Sequence, residues 1–146
     1  VSLFHVFSYQ TKNEAVKKFL LNANNNLLKN GILIFDFWYG PGVLNAKQQT
    51  RIKKLIINNK IVKRISKSKI DILNNTVDVN IKVQSENNLK KIYVNENHNM
   101  RYFFLPELEL FLNFAGFKLI KTYRSFLSTK PTVDDWNAIV VAKKIK

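Results

Sequence analysis

The side chains of this chain that could do chemistry gather at two places. The first pairs Phe4-His5-Val6-Phe7-Ser8-Tyr9 with Asp36-Phe37-Trp38-Tyr39. Together these strings offer an imidazole, a phenol and an indole around one crevice, if their backbones are neighbours. Asp36 lies inside the apolar run Ile32–Trp38, where an unpaired carboxylate is costly. It requires a partner, or a place beside the crevice with a raised pKa. The second place is His98-Asn99-Met100-Arg101-Tyr102-Phe103-Phe104, whose Arg101 is one of only four arginines. Its guanidinium suits an anion or a solvated face. The bland readings stand beside these: Phe4, Phe7 and Trp38 as core, and His5 as a packed, hydrogen-bonded histidine.

Other chemistries are poorly supplied. His5 and His98 are the only histidines, and neither has a second ligand at metal-binding spacing. Cysteine is absent, so no disulfide framework, zinc-thiolate site or cysteine nucleophile exists. No nucleophile elbow is present. Glycine occurs only at 31, 40, 42 and 116, too sparsely for a phosphate cradle.

The elements that must position these residues read as α/β. Residues 1–7 are mostly apolar and predict a buried strand. Thr11 and Glu14 form a T-x-x-E capping box, and Val16, Phe19, Leu20, Ala23, Leu27 and Leu28 share one helical face. A helix over about 12–29 follows, with Gly31 as its left-handed cap. Residues 32–38 lack alternation and predict a central strand covered on both faces. Tyr39-Gly40-Pro41-Gly42 should end it sharply. Strand, helix and strand make one β-α-β unit.

From 49 to 104 alternation takes over, most clearly at Val77, Val79, Ile81 and Val83. Antiparallel strands are expected at 51–57, 60–66, 76–84 and 89–104, with turns at Asn58-Asn59 and Asn74-Asn75. Pro106, Glu107 and the apolar face Leu108, Phe111, Leu112 and Ala115 predict a last helix, capped by Gly116. Strands at 117–123 and 136–142 follow, joined by a longer loop. The expected domains are 1–48 and 105–146 as core, with 49–104 inserted.

The chain has 146 residues, the size of one domain, and 46% are hydrophobic. Its net charge is +14, from 24 Lys+Arg against 10 Asp+Glu. Such a balance invites polyanions. Yet most of the cations are lysine, and Lys, Asn and Ile together reflect AT-rich codons. No aromatic residue lies between Tyr39 and Tyr93 to stack on bases, which disfavours nucleic acid as partner. No apolar run approaches membrane-spanning length, and no leader is evident, so no membrane association and a cytoplasmic location are expected.

Four stretches carry a family resemblance: Leu3 to Tyr9, Ile34 to Pro41, Met100 to Glu107, and Ala115-Gly116-Phe117. The chain resembles the C-terminal half of class I S-adenosylmethionine-dependent methyltransferases, nearest the branch that includes nucleotide-sugar N-methyltransferases. The resemblance implies the C-terminal part of a Rossmann-like seven-stranded sheet with an antiparallel β insertion that covers the acceptor. It implies S-adenosylmethionine as cofactor, no metal, and a small-molecule acceptor such as a nucleotide-linked sugar. Phe4, His5 and Val6 would flank the cofactor. Tyr9, Trp38, Tyr39 and Arg101 would face the acceptor, Arg101 at a diphosphate. Tyr9 or His5 would be the base or orienting group. The family's Gly-rich loop and two strand-end acids would precede residue 1. The resemblance therefore implies a fragment whose partner is the missing N-terminal half or a second copy. A basic nucleic-acid binder and a non-catalytic interaction module are the alternative readings.

Overall fold

A computed structural model describes residues 1–46, 50–57, 60–87, 90–125 and 127–146. The expected turn at Asn58-Asn59 and the expected strand start at Leu89 lie outside the described residues. The chain divides into two compact units, Val1–Ala46 with Met100–Lys146, and Lys47–Asn99. Seven strands are described, and each unit is built on its own set of them.

The first unit is built on β1 (Ile32–Tyr39). It pairs antiparallel with β7 (Asn137–Lys144), from Ile32 opposite Lys143 to Trp38 opposite Asn137. β7 pairs antiparallel with β6 (Phe117–Arg124). The end of β5 (Lys90–Phe103) lies parallel to β1 at Trp38–Tyr102 and Tyr39–Phe103. Helices α1 (Asn13–Asn25) and α3 (Leu105–Phe114) supply Val16, Leu20, Leu108 and Leu112 to one core with Phe35, Phe37, Ala138 and Val140. Phe7 sits in its middle, 4.3 Å from the Phe35 ring and 4.9 Å from Phe103. Burying such a side chain contributes about 1.5–3 kcal/mol.

Those core residues alternate along β1 and β7, so the two helices cover one face of this sheet. The other face carries Ile34, Asp36 and Trp38, and Ile34, Ile139 and Val141 there stay half-buried. The unalternating run 32–38 thus overstated coverage: Asp36 and Trp38 are buried for local reasons.

The first strand is shorter than expected. Ser2 makes a single parallel bridge to Phe35, then the chain turns and winds into a 3-10 turn at Val6–Tyr9. Helix α1 starts at Asn13, after Lys12, and Thr11 makes no side-chain cap. It stops at Asn25, short of 29, because the asparagine run offers the backbone competing side-chain hydrogen bonds. The Asn26 amide donates to Asn22 O at 2.8 Å. Lys144 Nζ donates to the carbonyls of Asn24 and Leu27 at 2.8 and 2.9 Å, which suits the negative end of the helix dipole. The left-handed residue there is Asn30, not Gly31. Gly31 is needed for space, since a Cβ would lie 2.8 Å from Leu28 O. After Tyr39 the backbone runs directly into a short helix α2 (Gly40–Asn45), with Pro41 in its first turn. A Cβ on Gly42 would meet Asp135 O at 1.8 Å, so only glycine fits.

The second unit holds β2 (Arg51–Ile57), β3 (Lys60–Asp71), β4 (Thr76–Asn87) and the first part of β5. β2, β3 and β4 are antiparallel neighbours. Asp71 shapes the β3–β4 turn by accepting from the Leu73 and Asn74 amides, and Asn75 takes the left-handed position. Every residue of β2 is exposed. Lys53 lies opposite Arg64, and Lys54 opposite Lys63, so like charges face each other on both sides of one hairpin. No helix of the described residues is long and apolar enough to cross a membrane.

Asp135 holds the β6–β7 connection. Its Oδ2 accepts the Thr132 amide at 2.8 Å and hydroxyl at 2.9 Å, and Oδ1 meets Arg124 Nε at 2.6 Å. The Thr132 amide above all, then its hydroxyl and Arg124, hold the Asp135 carboxyl below its ordinary value against the opposing effect of burial.

Two outcomes are expected. Lys63→Glu should stabilise the chain by about 0.2–1 kcal/mol in denaturant melts, by replacing repulsion across the hairpin with attraction. The lowered Asp135 pKa contributes stability that is present above the unfolded-state value and lost as pH falls through the folded one. Thermal melts taken below about pH 4 should therefore show a steeper loss for the native chain than for Asp135→Asn.

Candidate active site

The site starts from a backbone that L-residues avoid. Phe4 and His5 both have left-handed φ, 65° and 64°. Each costs about 1–2 kcal/mol relative to ordinary conformations. Asp36 holds them. Its Oδ1 accepts the His5 amide at 2.9 Å, and His5 Nδ1 lies 2.9 Å from Oδ2, close but not aligned as a hydrogen bond. Asp36 is 4% exposed, so its charge is spent on this turn. The expected partner of the carboxylate is therefore His5.

Neighbouring groups complete the arrangement. Ser2 accepts the Asp36 amide at 3.2 Å, and the buried Ser8 Oγ accepts the Trp38 amide at 2.9 Å. A side chain thus takes over where the short first strand has ended. The Trp38 ring meets the His5 ring edge-on at 6.4 Å and the Trp136 ring at 5.2 Å. Trp38 Nε1 is buried with no hydrogen-bond partner, an unspent donor beside the imidazole. The turn throws the Phe4 ring outward, 84% exposed, and leaves Val6 and Tyr9 about half exposed.

The structure therefore brings His5, Asp36 and Trp38 together, with Phe4, Val6 and Tyr9 on the same short turn. Two expected acceptor residues are placed elsewhere. Tyr39 follows Trp38 in a strand, so it points to the opposite face, where it packs edge-on against Phe37 and against the helical core. Arg101 is turned inward, 7% exposed. Its Nη2 pairs with Glu107 at 2.5 Å, Nη1 reaches Thr11 O, and the guanidinium stacks over Phe103 and Phe111. Neither an anion contact nor a solvated face describes it, because Glu107 already neutralises it. Glu107 also takes the Phe104 amide at 3.4 Å, so Arg101 anchors the start of α3.

Ser8 and Trp136 were missed in the sequence. Ser8 carried no signal, since a hydroxyl acting as a strand substitute depends on where the first strand breaks. Trp136 is one of only two tryptophans, a signal that was available.

No family model matches the chain, and no curated protein does. Solved structures do. An S-adenosylmethionine-dependent methyltransferase from Clostridium acetobutylicum matches with TM-score 0.79 at 13% identity, over 98% of this chain and 56% of that one. An amino pentose methyltransferase from Micromonospora echinaspora, involved in calicheamicin biosynthesis, matches with TM-score 0.78 at 13% identity, over 99% and 57%. A sugar N-methyltransferase from a Streptoalloteichus species matches with TM-score 0.78 at 12% identity, over 97% and 53%.

The fold is that of the C-terminal half of S-adenosylmethionine-dependent methyltransferases. The chain spans a little over half the length of these structures. Strand β7 runs antiparallel to both β1 and β6. The strand expected over residues 1–7 is reduced to the Ser2 bridge, and its continuation is the strained Phe4-His5 turn.

Asp36→Ala should destabilise the chain by about 1–3 kcal/mol, the cost of leaving a buried donor unpaired. The same variant should speed hydrogen exchange at the His5 amide, read by NMR. Asp36→Asn keeps one acceptor and should cost less.

Proposed function

We propose that this chain is the C-terminal portion of an enzyme that transfers a methyl group from S-adenosylmethionine to a small-molecule acceptor, and that the acceptor is a nucleotide-linked amino sugar. The reading is carried by one observation: the strained, Asp36-held turn that presents Phe4, His5 and Val6 at the end of the first strand. Ligands of open α/β sheets lie beyond the carboxyl ends of the strands. The sugar acceptor is supported by two of the similar structures, an amino pentose methyltransferase and a sugar N-methyltransferase.

The residues fit one wall of the cofactor. The exposed Phe4 ring and Val6 offer apolar surface, and the orphaned Trp38 N–H offers a donor to a bound oxygen. When bound, S-adenosylmethionine supplies an already activated methyl group on a sulfonium. The chain's own residues position and desolvate, which accounts for much of the rate in such displacements. His5 has Nδ1 turned to Asp36, which leaves Nε2 to take the acceptor's proton, with Tyr9 as the other candidate base. Trp38 borders the acceptor side. Tyr39 and Arg101 have no part in this crevice.

Ultraviolet crosslinking with methyl-tritiated S-adenosylmethionine tests the reading. Label is expected in the segment ahead of Thr11, displaced by S-adenosylhomocysteine and weakened in Phe4→Ala. Label confined to other segments, or not displaced, would refute it.

A further inference from the structure

The first unit holds a cavity of about 420 Å³ whose lining includes neither His5 nor Trp38. Tyr39 forms part of its wall, with Leu105 and Leu119. All three pack against the helical core. His5 meets Trp38 on the opposite face of β1, so the two sites are separated by the strand itself. Small-ligand pockets run from about 300 to 1,000 Å³, and this one is of the smaller kind.

The far wall is already built. It is the stretch Ser128 to Pro131, on the connection after β6. The Arg124 amide donates to Thr129 O at 2.7 Å. Asp135 ties Arg124 to Thr132 from behind. Ser128 and Thr129, both hydroxyl-bearing, line the cavity.

Its charge is one-sided. Lys121 and Lys130 line it, and no carboxylate does among the described residues. The nearby acids are engaged elsewhere: Asp135 with Thr132 and Arg124, Asp134 with the Asn45 amide. Lys121 rests over the Tyr123 ring at 5.4 Å rather than on an acid. A lining that combines apolar and aromatic side chains with two lysines and two hydroxyl-bearing residues is complementary to one kind of molecule.

We propose that this cavity is a second binding site, for a small organic anion with an apolar or aromatic body, held by Lys130 and Lys121 through a carboxylate or phosphate ester. The site stands independently of the methyl-transfer reading.

NMR titration of the chain with phenyl phosphate, benzoate and uncharged benzyl alcohol tests it. The anions are expected to bind in the millimolar range or better, with shifts centred on Tyr39, Leu119 and Ser128–Pro131. Benzyl alcohol should bind at least about fivefold more weakly, and Lys130→Gln should weaken both anions by a similar factor. Lys121→Gln is a second variant on the same wall, and Lys29→Gln a control of equal charge change far in sequence from it. Tighter binding of one anion identifies the headgroup. Equal affinity for benzyl alcohol, an equal loss in Lys29→Gln, shifts centred elsewhere, or no saturable binding of either anion would overturn the proposal.

Discussion

The buried carboxylate of Asp36 is the constraint on which the Phe4-His5 turn depends. A charge inside a sheet is stable only when its hydrogen bonds are supplied. Here they come from a turn that would otherwise not form, since neither Phe4 nor His5 favours a left-handed backbone. Each corrects the other's cost. The consequence is geometric: the chain leaves the sheet after Ser2, sends Phe4 outward, and returns Phe7 to the middle of the core.

The edge of β1 shows how this departure is accommodated. Its backbone groups are satisfied in sequence by different partners. Ser2 bonds Ile34 and Asp36, the Ser8 hydroxyl takes Trp38, and the end of β5 pairs at Trp38 and Tyr39. No single strand runs the full length of that edge. The sheet tolerates this because the Asp36 and Trp38 amides each still find an acceptor. On the other edge, β7 pairs with β1 without a break from Ile32 to Trp38.

Two kinds of electrostatics coexist in the chain. In the first unit, cations near the core are individually matched: Arg101 by Glu107, Arg124 by Asp135, and Lys144 by helix carbonyls. In the second unit, lysines and arginines stand opposite one another on an exposed hairpin, where water and salt screen them. The same excess of positive charge is thus structural in one unit and largely solvated in the other.

Local sequence by itself determined the elements whose signals are periodic or steric. The amphipathic stripe of α1, the alternation of β4, and Gly116 at the end of α3 with φ 79° follow from spacing and from backbone freedom. The strings around His5 and Trp38 also signalled that Asp36 has a neighbour, since an aspartate in an apolar run must find a partner. Tertiary structure alone decided the partners. Arg101 looked free because nothing local shows that Glu107 lies beside its guanidinium, and Tyr39 looked equivalent to Trp38 although successive strand residues point to opposite faces. The first strand's break, the early end of α1 and the role of Ser8 were likewise beyond the sequence. Each is settled by competition between local hydrogen bonds and contacts made by residues tens of positions away.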